Sequence, residues 1–89
     1  MPMFELGTVV ANPAALDPLR RANQSPDKFL RRHASGDWGD LCPSDKALNR
    51  EALRNGSRIF SAYEVEGRRF YVITESDRAV TTVLLADEY

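Results

Sequence analysis

Arg58-Ile59-Phe60-Ser61-Ala62-Tyr63-Glu64-Val65-Glu66-Gly67-Arg68-Arg69-Phe70-Tyr71-Val72-Ile73-Thr74-Glu75 is the stretch that decides the fold. Two runs rich in β-branched and aromatic residues, 58–65 and 69–75, flank Glu66-Gly67, a loop of two residues suited to a tight hairpin. Setting Val65 opposite Arg68 fixes the register. It pairs Glu64 with Arg69 and Arg58 with Glu75, on one face at opposite ends of the ladder, and it stacks Phe60 on Ile73 and Tyr63 on Phe70. Opposite charges and matched apolar groups are what cross-strand neighbours reward. Phe60, Tyr71 and Ile73 lie on one face; Ile59, Tyr63, Phe70 and Val72 lie on the other. Both faces therefore ask for cover.

Outward from the hairpin, Ser76-Asp77-Arg78 turns the chain into a further strand at 80–85, and Asp87-Glu88-Tyr89 ends it in a short acidic tail. Upstream, residues 4–11 read as a first strand closed by Asn12-Pro13. Three helices follow. The first, 13–23, is capped by Asn12 and should bend or restart at Pro18, which lacks an N–H. Ser25-Pro26-Asp27 starts the second, whose inward stripe is Phe29, Leu30, His33 and Ala34 and whose left-handed stop is Gly36. The third spans 43–55 and stops at Gly56. The expected architecture is α+β in the order β-α-α-α-β-β-β, a single domain over 1–89. Three short helices are inserted between strand 1 and a C-terminal meander, in an antiparallel sheet of three to four strands. Such helices cover one sheet face fully and the other in part, which predicts a homodimer or a protein partner.

Twelve Lys and Arg against thirteen Asp and Glu leave a net charge of −1, too little to attract nucleic acid or anionic lipid at a distance. Direct nucleic-acid binding is therefore not expected. Ten of the twelve cations are Arg, which suits local pairing with carboxylates. A single Cys allows no internal disulfide and fits a reducing compartment. Met1-Pro2-Met3-Phe4-Glu5 shows no basic leader, and no apolar run reaches membrane-span length. The expectation is a cytoplasmic protein without membrane contact.

Residues 33–42 (His33-Ala34-Ser35-Gly36-Asp37-Trp38-Gly39-Asp40-Leu41-Cys42) hold the only His, Trp and Cys of the chain. A Cys42/His33 nucleophile pair needs a base within reach and a third, orienting group; a thiol at a helix start is physically suited to it, but a lone Cys in a small domain is usually inert packing. A metal site drawn from His33, Asp37, Asp40, Cys42 and Asp45 lacks any recognisable ligand spacing, and aspartates capping amides around a Gly-rich turn are the better account. No catalytic residue, metal or cofactor is assigned. On the third helix Asp45 and Asn49 fall among Leu48, Ala52 and Leu53, as polar groups directed inward. Their nearest partners in sequence are the amides of 36–40, the Trp38 indole and His33. The cluster His33, Asp37, Trp38, Asp40, Asp45 and Asn49 is thus a structural network or, in second place, a binding site. Arg31, Arg32, Arg58, Tyr63, Arg69 and Tyr71 are the candidate partner-contact residues.

The combination Ser25-Pro26-x-x-Phe29-Leu30-x-Arg32-His33-x-x-Gly36-Asp37-Trp38-Gly39-Asp40-Leu41, followed by Asp45-x-x-Leu48-Asn49-x-x-Ala52-Leu53, resembles a family of small bacterial proteins of uncharacterised activity. Later segments match as well: Gly56-Ser57-Arg58-Ile59, Val72-Ile73-Thr74-Glu75 and Thr81-Thr82-x-Leu84-Leu85. This chain departs from the pattern at Pro18 and at the Cys before Pro43. The resemblance implies carriage on plasmids, prophages and integrated elements, and it carries over no catalytic residue. The leading expectation is a non-enzymatic protein-binding module of a mobile element, for example an inhibitor of a CRISPR or restriction defence. A ligand-binding or catalytic domain centred on the His33 cluster stands second, and an antitoxin-like or DNA-associated regulator third.

Overall fold

Glu66 and Gly67 both take left-handed backbone, φ 48° and 79°, the geometry of a two-residue hairpin turn whose twist matches its strands. From this turn the computed structural model, which describes residues 2–89, builds β2 (Ile59–Val65) and β3 (Arg68–Thr74) in the expected register, Val65 opposite Arg68 through Ile59 opposite Thr74. The charge pairs form at both ends, Arg58 to Glu75 at 3.4 Å and Arg69 to Glu64 at 3.8 Å. β4 (Val80–Leu85) continues antiparallel to β3. β1 (Thr8–Ala11) joins the far side of β4 in parallel, giving a mixed sheet of order β1-β4-β3-β2. Element order and α+β class are those read from the sequence, but the sheet is mixed rather than antiparallel, because β1 pairs with β4 in parallel.

β1 is shorter than the sequence suggests. Gly7 has φ 66°, and a side chain there would run into the Ala79 carbonyl, so the extended run from Phe4 is broken before Thr8. Phe4 instead meets the edge of the His33 ring, and Leu6 packs on the core.

Between β1 and β2 lie α1 (Pro13–Arg21), α2 (Pro26–Ala34) and α3 (Pro43–Asn55). Asn12 and Ser25 cap α1 and α2 through their side chains, and Gly56 ends α3 at φ 78°. α1 is continuous through Pro18 and does not restart there. Pro18 deprives only the carbonyl four residues back, at Ala14 in the exposed first turn, where water can serve it.

Ala15 and Leu19 of α1 and Phe29 and Leu30 of α2 form one core with Tyr63, Phe70, Val72, Val83 and Leu85. Phe29 stacks on Tyr63 with ring centroids 4.9 Å apart. Ala52 of α3 joins Trp38 and Ile59 in a second cluster at the β2 end. All these strand residues belong to one face. Among the described residues no α-helix lies across the opposite face, which carries Phe60, Ala62, Tyr71, Ile73, Thr82, Leu84 and Val10; Ala62 and Ile73 are nevertheless buried, and a 3-10 helix at Ala86–Glu88 lays Tyr89 against Phe60 and Tyr71.

The two sheet edges differ. On β2 the outward backbone groups of Phe60 and Ala62 are bonded by other parts of the chain. On β1 the inward amides are those of Thr8 and Asn12, which donate to Ala79 and Val83, so Val9 and Ala11 direct theirs away from the sheet.

Candidate functional site

The 33–42 stretch is a joint that seals the β2 edge. Gly39 forms a parallel bridge with Ala62: the Ala62 amide donates to the Trp38 carbonyl at 3.1 Å, and the Asp40 amide donates to Ala62 at 2.7 Å. Gly39 has φ 71°, and a Cβ there would strike the Ala62 carbonyl and the Tyr63 ring, so only glycine lets the loop lie this close. The loop is pinned from both sides. Arg32 donates to Asp37 at 2.7 Å, the Tyr63 hydroxyl donates to the Asp37 carbonyl at 2.7 Å, and Arg69 donates to the Asp40 carbonyl at 2.9 Å. Burial pushes the Tyr63 phenol up to about 12, so it remains a donor. The Arg32 guanidinium holds the Asp37 carboxyl below the usual carboxylate range.

Asn49 completes the seal. Its amide nitrogen donates to the Phe60 carbonyl at 2.7 Å and its oxygen accepts from the Phe60 amide at 3.1 Å, so one side chain stands in for a neighbouring strand. This corrects the expected partners in the 36–40 loop. Asp45 is also corrected. It is exposed in the first turn of α3, because the helix is buried only at Asn49 and Ala52. There its carboxylate faces the positive end of the helix dipole. Trp38 is buried, 6 % exposed, but among the described residues its indole nitrogen finds no hydrogen-bond partner, so it acts as an apolar plug rather than a network member.

His33 belongs to a different network. Nδ1 lies 2.5 Å from the Ser61 hydroxyl and Nε2 lies 2.9 Å from Thr74; Thr74 lies 2.7 Å from Thr81, whose hydroxyl donates to the Leu6 carbonyl. The donor count sets every direction. Thr81 gives its proton to Leu6 and must accept from Thr74, so Thr74 must accept from Nε2–H, and Nδ1 accepts from Ser61. His33 is therefore neutral, its pKa lowered to about 4 by burial and by the nearby Arg78 cation. Both ring nitrogens are engaged, and Asp45 and Cys42 are exposed elsewhere. Cys42 is a free thiol at the start of α3, 3.2 Å from the Ser44 hydroxyl. No base is left for it. Among the described residues no group of three or more His, Cys, Asp or Glu could hold a metal ion.

The candidate contact residues divide between two surfaces. Arg31 is exposed on α2, and Arg32 is half-buried, paired with Asp37 and stacked over Tyr63. Tyr63 itself lies under the helices, 2 % exposed, and cannot meet a partner. Arg58, Arg69 and Tyr71 lie on the helix-free face. There Phe60, Tyr71 and Tyr89 form a ring cluster with centroids 4.5–5.7 Å apart, Arg69 sits over Tyr71, and Arg58 donates to the Tyr89 hydroxyl at 3.0 Å.

Arg78 was not singled out from the sequence. With φ 61° it turns back to donate to the carbonyls of Ser57, Glu75 and Ala52, tying the end of α3 to the β3–β4 turn. A lone Arg in a Ser-Asp-Arg turn carries no local sign of that role. No family model, curated protein or solved structure matches the chain. Among the described residues no helix is long and apolar enough to cross a membrane.

Proposed function

We propose that this chain is a non-enzymatic, cytoplasmic protein-binding module whose interface is the helix-free face of its sheet. One observation carries the reading: α1 and α2 pack on one face and α3 on that face and the β2 edge, while the other face shows half-buried Phe60 and Tyr71 and exposed Val10 and Tyr89 ringed by Arg and Glu. Apolar patches framed by polar groups, with Tyr and Arg prominent, are the usual composition of protein interfaces. The rare side chains that suggest catalysis support the same reading by default, because His33, Asn49 and Asp37 all make internal bonds. The resemblance to proteins of plasmids and prophages supports a mobile-element setting. In that setting the target is a host protein, such as a component of a CRISPR or restriction system.

A photo-crosslinking side chain at Val10, which is 47 % exposed on this face, tests the reading in living cells. The expected result is a discrete protein adduct that is absent when the crosslinker replaces the exposed Asp17 on α1, and absent when Tyr89 is also changed to Glu. A protein that stays folded and yields no adduct from Val10 refutes it.

A further inference from the structure

The outer edge of β1 is matched to itself. Thr8 and Asn12 donate inward to Ala79 and Val83, so by alternation Val10 bonds inward as well. The amides and carbonyls of Val9 and Ala11 point the other way, where the described residues offer them no partner. Sheet edges are ordinarily blunted by a charge, a proline, a bulge or a covering loop. The β2 edge is sealed by the 39–40 loop and by Asn49. β1 has none of these devices: it pairs without a bulge from Thr8 to Ala11, and none of its residues is charged. Of the large hydrophobic side chains on the four strands, those exposed are Val9 and Val10, at 43 % and 47 %.

We propose that a second copy of this chain pairs its β1 antiparallel to this one, about a two-fold axis at Val10, so that two four-stranded sheets become one. The flanks of β1 select the register. Centred on Val10, it makes two pairs, Val9 with the partner's Ala11 and Ala11 with the partner's Val9, and each pair exchanges two hydrogen bonds. Centred on Val9, it keeps one such pair, because the next outward position is Gly7, whose φ of 66° takes it out of the strand. Centred on Ala11, it again keeps one, because the next position is Pro13, which has no N–H and opens α1. The same register sets Val10 beside the partner's Val10 on the helix-free side and Val9 beside the partner's Ala11 on the helix side. Each exposed valine gains an apolar neighbour, and two uncharged strands meet without repulsion. A strand from another protein meets the same outward groups, but a second copy brings the same length and the same two stops. The contact is edge to edge with Val10 at the margin, so it leaves the helix-free face to the partner protein proposed above. Four residues span about 13 Å, a short junction whose dimer is sought at high concentration.

Sedimentation equilibrium of the purified full chain from about 5 to about 500 µM tests this, with circular dichroism to verify folding. A dimer is expected, and hydrogen exchange at the Val9 and Ala11 amides should slow as concentration rises. Val10→Lys and Val10→Glu each set like charges together across the axis and should each weaken the dimer at least about tenfold. An equimolar mixture of the two should dimerise to within about threefold of the parent. That recovery needs both chains, so damage within one chain cannot imitate it. Val9→Pro removes an outward N–H and no inward bond, and should leave the circular dichroism unchanged while abolishing the dimer. A monomer at every concentration overturns the proposal. So does a dimer indifferent to the charges at position 10, a mixture that does not recover, or a dimer that persists in folded Val9→Pro. A dimer lost with Tyr89→Glu also overturns it, since Tyr89 lies against Phe60 and Tyr71 at the other side of the sheet. The two interfaces fail separately. A crosslinker at Val10 captures the second copy as an adduct of twice the chain's mass that survives Tyr89→Glu, whereas a different protein on the face gives another mass that is lost with that change.

Discussion

Acidification from about pH 7.5 to about 4.5 should remove about 2–3 kcal/mol of stability through His33 alone. Its ordinary value of 6.5 describes the unfolded chain, and the folded value is about 4. Between those values the unfolded chain takes up a proton that the folded chain refuses, so stability falls as pH falls and the slope ends near pH 4. The cause is geometric. An imidazolium would carry N–H on both sides and force Ser61 to turn its proton away, while burial of the ring at 0 % exposure keeps the charge from bulk solvent. In a domain of this size about 1 kcal/mol moves the melting temperature by roughly 4–8 °C, so a drop of about 10–20 °C is expected. Urea denaturation at half-unit pH steps measures it, beside His33→Gln, which has no proton to gain. The Asp37 carboxyl acts in a separate window: its lowered value gives stability that is present above the ordinary carboxylate pKa and lost only below it. If the parent and His33→Gln lose stability in parallel between about pH 6.5 and 4.5, the buried neutral imidazole is wrong.

Asn49→Ala removes both bonds to Phe60 and should cost about 1–3 kcal/mol, read by denaturation, with faster hydrogen exchange at the Phe60 amide. Unchanged exchange there would deny the strand-mimic role. Gly39→Ala adds left-handed strain and a collision with the Ala62 carbonyl, and should cost more than about 2 kcal/mol, whereas Gly56→Ala, with open space around it, should cost only about 1 kcal/mol. Equal costs would show that the 37–40 loop can move off the edge.

Elements set by neighbours in sequence were legible before the structure. The β2–β3 register followed from Glu64, Arg69, Arg58 and Glu75, since a two-residue loop leaves one pairing that satisfies all four. Helix starts followed from Asn12 and Ser25, and the inward stripe of α2 from the spacing of Phe29, Leu30, His33 and Ala34. The candidate site was legible only in part. A helical wheel gives the direction of Asn49 but does not tell whether that direction meets a sheet face or a strand edge, so its backbone partner at Phe60 stayed hidden. Asp45 shares the wheel direction, yet the first turn of α3 buries nothing. The partners of His33 lie 28 and 41 residues away. One signal could have found them: the register puts Ser61 and Thr74 on the same face as Tyr63 and Phe70, so hydroxyls stand in an otherwise apolar layer and call for a polar guest. Arg78 acts through carbonyls of three segments, and no local pattern encodes that.

The unequal edges of the sheet set a limit on growth. At Phe60 and Ala62 every outward hydrogen-bonding group is already matched, and Glu64 beyond them places a charge on the remaining edge. At Val9 and Ala11 the outward amides find no partner among the described residues. A strand-pairing particle with one closed side has a valence of one: it can accept a single neighbour and then stop. Two such particles joined at β1 would leave no live end, so ladder growth into a fibre halts at the pair. In a chain this short, with bare valines on an edge strand, that closed side is a safeguard against polymerisation.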